Sequence, residues 1–353
     1  MNTVAERNRH VIPYTTVNGR YDDWTEKNIC WWTNGFYGGM LWQLYHATGE
    51  PLYREIAEEL EEKLDRNLLE PGGMDHDSGF KWLPTAVAHY RLTGDERARK
   101  RGLLAADNLA GRFNPAGEYI RAWNDAGDGT NAGIAIIDCM MNLPLLYWAY
   151  EQTKDPRYLH IAERHTETTL RYFIRSDYSN IHIGRFDPMT GAFLESLGGQ
   201  GYGVGSSWTR GQAWAVYGFT LTARHTKKDR YLKTAKHLAQ RFIERIPENG
   251  LIPVDFDQPE DCSWEDSTAA AIAACGLLEL ERLTGEFVYR EAAERLLTVL
   301  SVQCCSWSEE CDNLLERCTA AYHDREHEFS IIYGDYFFLE AVFKLTGQEL
   351  MIW

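Results

Sequence analysis

The stretch Thr268–Leu283, TAAAIAACGLLELERL, is apolar on nearly every side until its last turn. A helix with that pattern is typically surrounded by protein. It runs into the turn Thr284-Gly285-Glu286, and the following stretch, Tyr289–Leu300 (YREAAERLLTVL), has charges on one face and leucine, valine and alanine on the other. Together the two stretches predict a helical hairpin with a buried inner helix and an amphipathic outer helix.

The turn of this hairpin recurs along the chain at unequal intervals. The six copies are Thr48-Gly49-Glu50, Thr93-Gly94-Asp95, Thr153-Lys154-Asp155, Thr226-Lys227-Lys228-Asp229, Thr284-Gly285-Glu286 and Thr346-Gly347-Gln348. Glycine suits the left-handed backbone position that ends a helix. Repetition of such a unit predicts a series of stacked helical hairpins.

Hairpins of this kind build either a closed ring or an open α-solenoid. We predict the ring, an all-α (α/α)6 barrel of six helical hairpins, because solenoid repeats are usually more regular and the long insertions here all precede inner helices. We expect residues 1–353 to form a single catalytic domain, with residues 1–30 as an N-terminal extension packing on the barrel. Strand signals are weak, with at most short extended segments at 181–188 and 203–205.

The composition argues against several classes of protein. A formal net charge of −16 is unfavourable for a nucleic-acid partner, since phosphate binding needs a basic face. No run of 18 apolar residues occurs, so we expect no membrane span. The polar N-terminus and eight scattered cysteines without a CxxC pair predict a cytoplasmic protein without a zinc site. A small anionic substrate stays compatible if a few Arg and His residues make its site locally positive.

The segments that lead into the inner helices are expected to meet at one end of the barrel. They are rich in Trp, Asp, His, Gly and Arg, the residues that stack on sugar faces and exchange protons. The turns at the opposite end carry mostly Lys, Asp, Glu and Arg, as on an ordinary solvated rim. The sequence therefore predicts a sugar-binding cleft at the first end.

Two aspartates in these segments are the first candidates for chemistry. Asp138 lies in the otherwise apolar stretch 133–150, where an unpaired carboxylate is costly. We therefore expect its pKa to be raised, as for a proton donor. Asp77 is either a functional carboxylate or the cap of the second inner helix.

Other polar candidates also have structural alternatives. His76 and His182 are either site residues or satisfied core histidines, and Arg210 is either a ligand-binding residue or a structural ion-pair partner. A single tryptophan is more often core than a sugar platform. Seven tryptophans in or beside the inner-helix entries nevertheless favour an aromatic cleft.

Six motifs, in order along the chain, connect these candidates to a known family. They are WTNGFYGGMLW (Trp32–Trp42), HDSGF (His76–Phe80), IIDCMMNLPLLYWA (Ile136–Ala149), SSWTRGQAWAVYGF (Ser206–Phe219), DSTAAAIAACGLLEL (Asp266–Leu280) and YGDYFFLEA (Tyr333–Ala341). With this set the chain resembles the unsaturated glucuronyl hydrolases of glycoside hydrolase family 88.

The resemblance implies an unusual hydrolysis. Members of the family remove a Δ4,5-unsaturated uronic acid from the non-reducing end of lyase-generated oligosaccharides. They hydrate the C4=C5 bond instead of attacking the anomeric carbon, so they depart from the two-carboxylate glycosidase scheme. No metal or organic cofactor is implied, and the expected partner is the unsaturated oligosaccharide itself.

Site residues follow from the same resemblance. Asp77, Asp138, Arg210 and Trp214 lie in its motifs, whereas His182 and Gln200 are placed only by their relative spacing. The resemblance implies that Asp138 is the general acid/base and that Asp77 is a second essential carboxylate. It implies a substrate-binding role for the remaining candidates, which are Trp31, Trp32, His76, Trp123, His182, Gln200, Arg210 and Trp214. Either Trp31 or Trp32 would stack on the unsaturated ring.

Two related enzymes and a scaffold are the alternatives. Family 105, the unsaturated rhamnogalacturonyl hydrolases, shares the barrel and the chemistry but acts on pectin fragments. A sugar epimerase on the same barrel would use a histidine pair, whereas His76 and His182 lie on non-equivalent hairpins. A non-catalytic scaffold would not need two aspartates among tryptophans. The segment 319–343 contains no lysine, unlike members that prefer sulfated substrates, so we expect a preference for unsulfated or differently decorated ones.

Overall fold

The computed structural model describes residues 1–125, 127 and 129–353. The α-helices are α1 (Asn2–Arg7), α2 (Phe36–Thr48), α3 (Pro51–Leu64), α4 (Ser78–Trp82), α5 (Ala88–Thr93), α6 (Glu96–Gly111), α7 (Leu143–Thr153), α8 (Pro156–Tyr172), α9 (Thr209–Thr226), α10 (Asp229–Glu244), α11 (Ser267–Thr284), α12 (Phe287–Val299) and α13 (Ile332–Thr346). The strands are β1 (Thr16–Val17), β2 (Arg20–Tyr21), β3 (Phe113–Asn114), β4 (Tyr119–Ile120), β5 (Ile134–Ile136), β6 (Ile183–Phe186) and β7 (Phe193–Leu197).

The inner helices form a closed ring. They are α2, the pair α4 and α5, α7, α9, α11 and α13, and each packs against the next, with α13 returning to α2. Outer helices α3, α6, α8, α10 and α12 each follow an inner helix and turn an apolar stripe toward it. The fold is therefore the predicted (α/α)6 barrel and not an open solenoid.

The recurrent turn ends one helix and begins the next by local hydrogen bonds. In the second copy the Thr93 hydroxyl donates to the His89 carbonyl (2.8 Å) and accepts from the Asp95 N–H (3.2 Å). The Asp95 carboxylate then accepts from the Ala98 N–H (2.7 Å) and caps the outer helix. The residue after the threonine is left-handed in all six copies, namely Gly49, Gly94, Lys154, Lys227, Gly285 and Gly347.

The second inner helix is divided by its proline. Leu83–Val87 forms a π-helical turn between α4 and α5. Pro84 lies in that turn and has no N–H to donate, so the regular α-helical pattern cannot continue through it. The two halves together occupy the position of one inner helix in the ring.

The two ends of the chain complete the barrel. The short helix α1 packs against outer helix α3, and Arg7 forms an ion pair with Asp312, which follows outer helix α12. The N-terminal helix thereby occupies the gap left in the outer layer, since no helix follows α13. At the other end of the chain the ring of Trp353 stacks on Phe337, with centroids 5.8 Å apart, inside the ring of helices.

A small antiparallel sheet precedes two of the inner helices. Strand β6 pairs with β5 and with β7, and Ala135 lies opposite Gly184. The extended segment expected at 181–188 is thus a real strand, whereas residues 203–205 form turns. No helix within the described residues is long and apolar enough to cross a bilayer.

Candidate active site

A cleft of about 530 Å³ opens at the end of the barrel where the insertions enter the inner helices. Its volume lies in the range usual for small-molecule sites. Its wall is formed by Asn28, Cys30, Trp31, Trp32, Gly72, Gly73, Asp75, Asp77, Trp123, Asn124, Ile136, Asp138 and Gln200. The convergence predicted for Asp77 and Asp138 is therefore present, together with three of the tryptophans, Trp31, Trp32 and Trp123.

Asp138 reaches the cleft from a short 3-10 helix, Ile137–Met141, that directly follows β5. The Ile137 N–H donates to the His182 carbonyl (3.0 Å) and extends the β5–β6 pairing by one step. As a result the His182 ring lies beside the aspartate, with Nε2 3.5 Å from Asp138 Oδ2. Backbone pairing of two distant segments thus creates this contact.

The tautomer of His182 follows from its other nitrogen. The Gln200 N–H donates to Nδ1 of His182 (3.1 Å), so a neutral ring carries its proton on Nε2, which faces Asp138. Gly199 permits this approach, because a Cβ there would lie 2.2 Å from Nδ1 and the backbone has φ +136°. Gln200 therefore holds the histidine through its main chain while also lining the cleft.

The electrostatic setting of Asp138 differs from the sequence prediction. Burial by itself raises the pKa of this carboxyl group, but the contact with His182 and the charges of His76 and Arg210 outweigh it. The net effect holds the pKa of Asp138 below its ordinary value, so the expectation of a raised pKa is wrong. The apolar local sequence carried no sign of these distant partners.

Asp77 sits at the N-terminus of α4 but does not cap it. None of the first N–H groups of that helix donates to its side chain. Instead Asn142 Nδ2 donates to Asp77 Oδ1 (3.1 Å), and the Asn142 oxygen accepts from the Phe80 N–H (2.8 Å). This bridge to the third hairpin holds the carboxylate toward the cleft, so the simple capping role is not what the structure presents.

His76 lies behind Asp77 and is completely buried. Its Nε2 is 3.3 Å from Asp77 Oδ1. Burial opposes the charged imidazolium, but the carboxylate of Asp77 and the Cys139 thiol raise the pKa of His76 well above its ordinary value. The His76–Asp77 pair is therefore a buried ion pair beside the cleft.

Arg210 was predicted to bind substrate, and the structure places it one layer behind the cleft. Its guanidinium is 1% exposed and forms an ion pair with Asp266. It also donates to the carbonyls of Thr319 (2.7 Å) and Ala320. Because the Gln200 side chain donates to the same Ala320 carbonyl (3.0 Å), Arg210 supports the cleft wall without lining it.

Trp214, which was predicted to bind substrate, also lies behind the residues that line the cleft. It lies on α9 one helical turn after Arg210, and this turn runs deeper into the barrel. Its ring is fully buried against Phe80 (5.1 Å between centroids) and Phe337 (5.4 Å). The residue is therefore part of the aromatic core below the cleft, and its contact with substrate stays a prediction.

Three other predicted tryptophans do line the cleft. Trp32 packs against Tyr333 (4.9 Å) and Phe80 (5.5 Å), which are anchored on inner helices. Trp31 packs against Trp24 (5.1 Å) in the N-terminal extension. Trp123 lies on the side formed by the third insertion. Aromatic faces on different walls suit the apolar faces of a pyranose ring.

Several cleft residues were missed by the sequence analysis. Asn28 and Cys30 come from the N-terminal extension, for which no motif predicted a place in the site. Asp75 and Asn124 adjoin predicted residues, and that adjacency was an available signal. Burial raises the pKa of Asp75, Lys81 opposes that shift, and the charge on Asp77 adds to it.

Metal chemistry receives no support from the residue set. Within the described ranges no three His, Cys, Asp or Glu side chains come together in a way that could hold an ion. The cleft instead offers three carboxylates, Asp75, Asp77 and Asp138, with a histidine beside each of the last two, and aromatic walls. Such a set can bind a sugar and exchange a proton with it.

Comparison with known proteins decides the family. Residues 4–332 match the family model described as Glycosyl Hydrolase Family 88. The chain belongs to this family. It is accordingly a glycoside hydrolase, and the family predicted from the six motifs is confirmed.

Relatives of this family 88 hydrolase are similar along most of its length. An unsaturated glucuronyl hydrolase of Bacillus sp. strain GL1 is 40% identical over 338 residues, which cover 91% of this chain and 88% of the relative. An unsaturated chondroitin disaccharide hydrolase of Streptococcus pneumoniae is 34% identical over 332 residues, 91% of this chain and 83% of the relative. A solved UGL variant with dGlcA-Glc-Rha-Glc has a TM-score of 0.91 at 35% identity and covers 98% of this chain and 94% of that one.

Proposed function

We propose that this family 88 hydrolase releases a Δ4,5-unsaturated uronic acid from the non-reducing end of lyase-generated oligosaccharides. The observation that carries the proposal is the meeting of Asp77 and Asp138 on the wall of a tryptophan-lined cleft. The relatives named for unsaturated glucuronyl and chondroitin substrates support the same substrate class.

The reaction we propose is hydration of the C4=C5 bond. This bond and the ring oxygen form an enol ether, so a proton added at C4 leaves a cation at C5 that the ring oxygen stabilises. Water then adds its oxygen to C5 and gives up a proton, which yields a hemiketal. Ring opening of the hemiketal breaks the C5–O5 bond and leaves a ketone at C5 and a hemiacetal at C1. Breakdown of this hemiacetal releases the aglycone as an alcohol and leaves an aldehyde at C1, and no covalent enzyme intermediate is needed.

Asp138 is the group we assign to both proton transfers. In the free cleft its carboxylate is stabilised by His182, His76 and Arg210. A bound substrate brings its own carboxylate, and this second negative charge favours the protonated form of Asp138. The proton then goes to C4, and the regenerated carboxylate activates the attacking water.

Asp77 is the second carboxylate of the proposal. Asn142 donates to one of its oxygens and His76 lies beside the same oxygen. The other oxygen is available to accept from sugar hydroxyl groups. We assign to Asp77 the orientation of the unsaturated ring over Asp138.

We extend the proposal to the whole chain. One large hydrophobic core includes residues from Ala5 to Trp353, and Asn28 and Cys30 of the N-terminal extension line the cleft. Both observations support one catalytic domain over residues 1–353. All eight cysteines are unpaired, as suits a reducing, cytoplasmic setting. We propose no cofactor and no nucleic-acid partner.

Loss of the ultraviolet absorbance of the conjugated double bond tests the proposal. Wild-type protein is expected to consume an unsaturated chondroitin disaccharide. Asp138→Asn should lower kcat by about a thousandfold, since it removes the proton donor, and Asp77→Asn should also lower turnover strongly. The control is Asp229→Asn, which changes an exposed aspartate at the opposite end of the barrel and should leave kcat unchanged.

Thermal unfolding of each variant separates lost chemistry from lost folding. An active Asp138→Asn variant would assign the acid/base to another group. A wild-type protein that consumes no unsaturated disaccharide from any lyase would contradict the proposed function itself.

A further inference from the structure

A second groove adjoins the catalytic cleft. It has a volume of about 570 Å³, and Asn124 lines both spaces. Two arginines, Arg112 and Arg121, face this groove, and none of its described lining residues is an Asp or Glu. That is unexpected on a chain with 52 acidic and 36 basic residues.

Arg112 contributes a buried positive charge to the groove. Its guanidinium donates to the carbonyls of Met74 (2.8 Å) and Ala122 (3.0 Å), and to the side chain of Asn124 (2.8 Å). Burial lowers the pKa of Arg112 to about 10; Asp75 opposes this shift and the like charge of Arg121 adds to it. No described carboxylate lies within ion-pair distance of this arginine.

Arg121 is the arginine that can reach a ligand. Its side chain is half-buried, and the described hydrogen bond of its guanidinium is a long one of 3.5 Å to Asn124. Like Arg112 it has no carboxylate partner among the described residues, whereas Arg210 of the same molecule is fully paired with Asp266. Donors of Arg121 therefore remain available at the border of the cleft.

We infer that this groove is a subsite for an anionic group, a carboxylate or a sulfate ester, on the aglycone of the substrate. The inference rests on the proposed function, because it places the unsaturated ring at Asp138 and lets the aglycone extend past Asn124. Arg121 contacts the anion directly, since a guanidinium presents planar donors to two oxygens of such groups. The bound anion also relieves the repulsion between Arg121 and Arg112.

Three substrates test the subsite. Unsulfated unsaturated chondroitin tetrasaccharide carries a second uronate, dGlcA-Glc-Rha-Glc has the same length with a neutral aglycone, and the 6-O-sulfated unsaturated chondroitin disaccharide carries a sulfate. Arg121→Gln should lower kcat/KM roughly three- to tenfold on the substrate whose anion reaches the groove. It should leave kcat/KM on dGlcA-Glc-Rha-Glc unchanged. Arg121→Lys should retain most of the kcat/KM that Arg121→Gln loses on the anionic substrate.

The pattern of losses identifies the anion. A loss confined to the tetrasaccharide assigns the groove to a carboxylate, and a loss confined to the sulfated disaccharide assigns it to a sulfate. The control Arg97→Gln removes an exposed arginine at the opposite end and should alter none of the rates. Equal effects of Arg121→Gln on all three substrates, or no effect on any, would overturn the inference.

Binding separates failure of this inference from failure of the proposed function. Calorimetric titration measures binding without turnover. The proteins are Asp138→Asn with and without Arg121→Gln, and the ligands are the tetrasaccharide, the sulfated disaccharide and dGlcA-Glc-Rha-Glc. The subsite predicts three- to tenfold weaker binding of an anionic saccharide only. Unchanged affinities would reject the subsite even in an active enzyme, while an inactive wild type with the predicted affinity difference would reject only the proposed reaction.

Discussion

At the scale of single residues, the acid role that we propose for Asp138 has to operate in a setting that favours the charged form of this group. His182 presents an N–H toward it because the Gln200 main chain occupies the other ring nitrogen. His76 and Arg210 add positive charge from behind. In the proposed mechanism, the carboxylate of the incoming substrate supplies the negative charge that favours the protonated form of Asp138.

This setting predicts a pH dependence of catalysis. The pKa of Asp138 is lowered in the free enzyme. As the pH rises through this low pKa, the protonated form of Asp138 disappears, and kcat/KM should fall with it. The bound uronate raises that pKa, so kcat should fall only at a higher pH. Profiles of kcat and of kcat/KM between pH 3.5 and 8 on the unsaturated chondroitin disaccharide measure the pH at which each of the two falls.

A variant of the neighbouring histidine is the control for this profile. His182→Phe removes the N–H donor but keeps an aromatic ring against Trp208, whose centroid lies 4.3 Å from the histidine. The pKa of Asp138 should rise in that variant, and the basic limb of kcat/KM should move to higher pH. Limbs that coincide for kcat and kcat/KM in wild type would contradict the role given to the substrate carboxylate.

At the scale of the elements, the threonine turn is the unit that builds the barrel. Its hydroxyl links the end of one helix to the start of the next, and a left-handed residue reverses the chain. Two of the six turns place a lysine in that left-handed position, Lys154 and Lys227. A residue with a Cβ is strained there, whereas glycine is not.

Replacement of Lys227 by glycine should therefore stabilise the protein. Lys227 is exposed and forms no ion pair in the described structure, so relief of backbone strain is the main effect. We expect the free energy of unfolding to rise by about 0.5–1 kcal/mol, the difference between left-handed strain and glycine flexibility. Urea unfolding followed by circular dichroism measures this change.

The reverse substitution is the matched comparison. Gly285 occupies the same turn position, and a Cβ added there would meet no atom within 4 Å. Gly285→Ala should therefore lower the free energy of unfolding by about 1 kcal/mol through the backbone alone. Changes of the same sign in Lys227→Gly and Gly285→Ala would show that the left-handed position is not what matters.

At the scale of the whole molecule, buried charge ties the last inner helix to its neighbours. Lys344 on α13 is fully buried, 3.4 Å from Glu279 on α11 and 3.8 Å from Glu340, and it also pairs with Glu349 near the C-terminus. The three carboxylates come from different parts of the chain. Their common partner therefore holds the closing helix and the terminal segment in one arrangement.

Removal of this partner should be costly. Lys344→Met leaves Glu340 buried without its described counter-charge, while Glu279 and Glu349 keep arginine partners. We expect the free energy of unfolding to fall by about 3–5 kcal/mol. Lys236→Met, which breaks an exposed pair with Glu286, should cost less than about 1 kcal/mol. Urea titrations of the two variants compare these losses directly, and equal losses would mean that the buried cluster has no special role.

The features that the sequence predicted well depend on short-range chemistry. Helix periodicity and the threonine turn act over four or five residues, so the amino-acid pattern alone was enough to predict the barrel and its five hairpins from α2 to α12. The entry segments of the inner helices then had to meet at one end, which correctly brought Asp77, Asp138, Trp31, Trp32, Trp123 and Gln200 to one cleft.

The features that only the tertiary structure decided depend on depth and long-range pairing. Arg210 and Trp214 lie in the same motif as cleft residues, but α9 carries them into the interior, where Asp266 and the aromatic core surround them. The pKa of Asp138 moves opposite to expectation because the pairing of β5 with β6 brings His182 beside it. The sequence by itself determined the barrel and the residue types at its mouth. Which of those residues face the cleft, and with what charge, was decided by contacts between segments far apart in the chain.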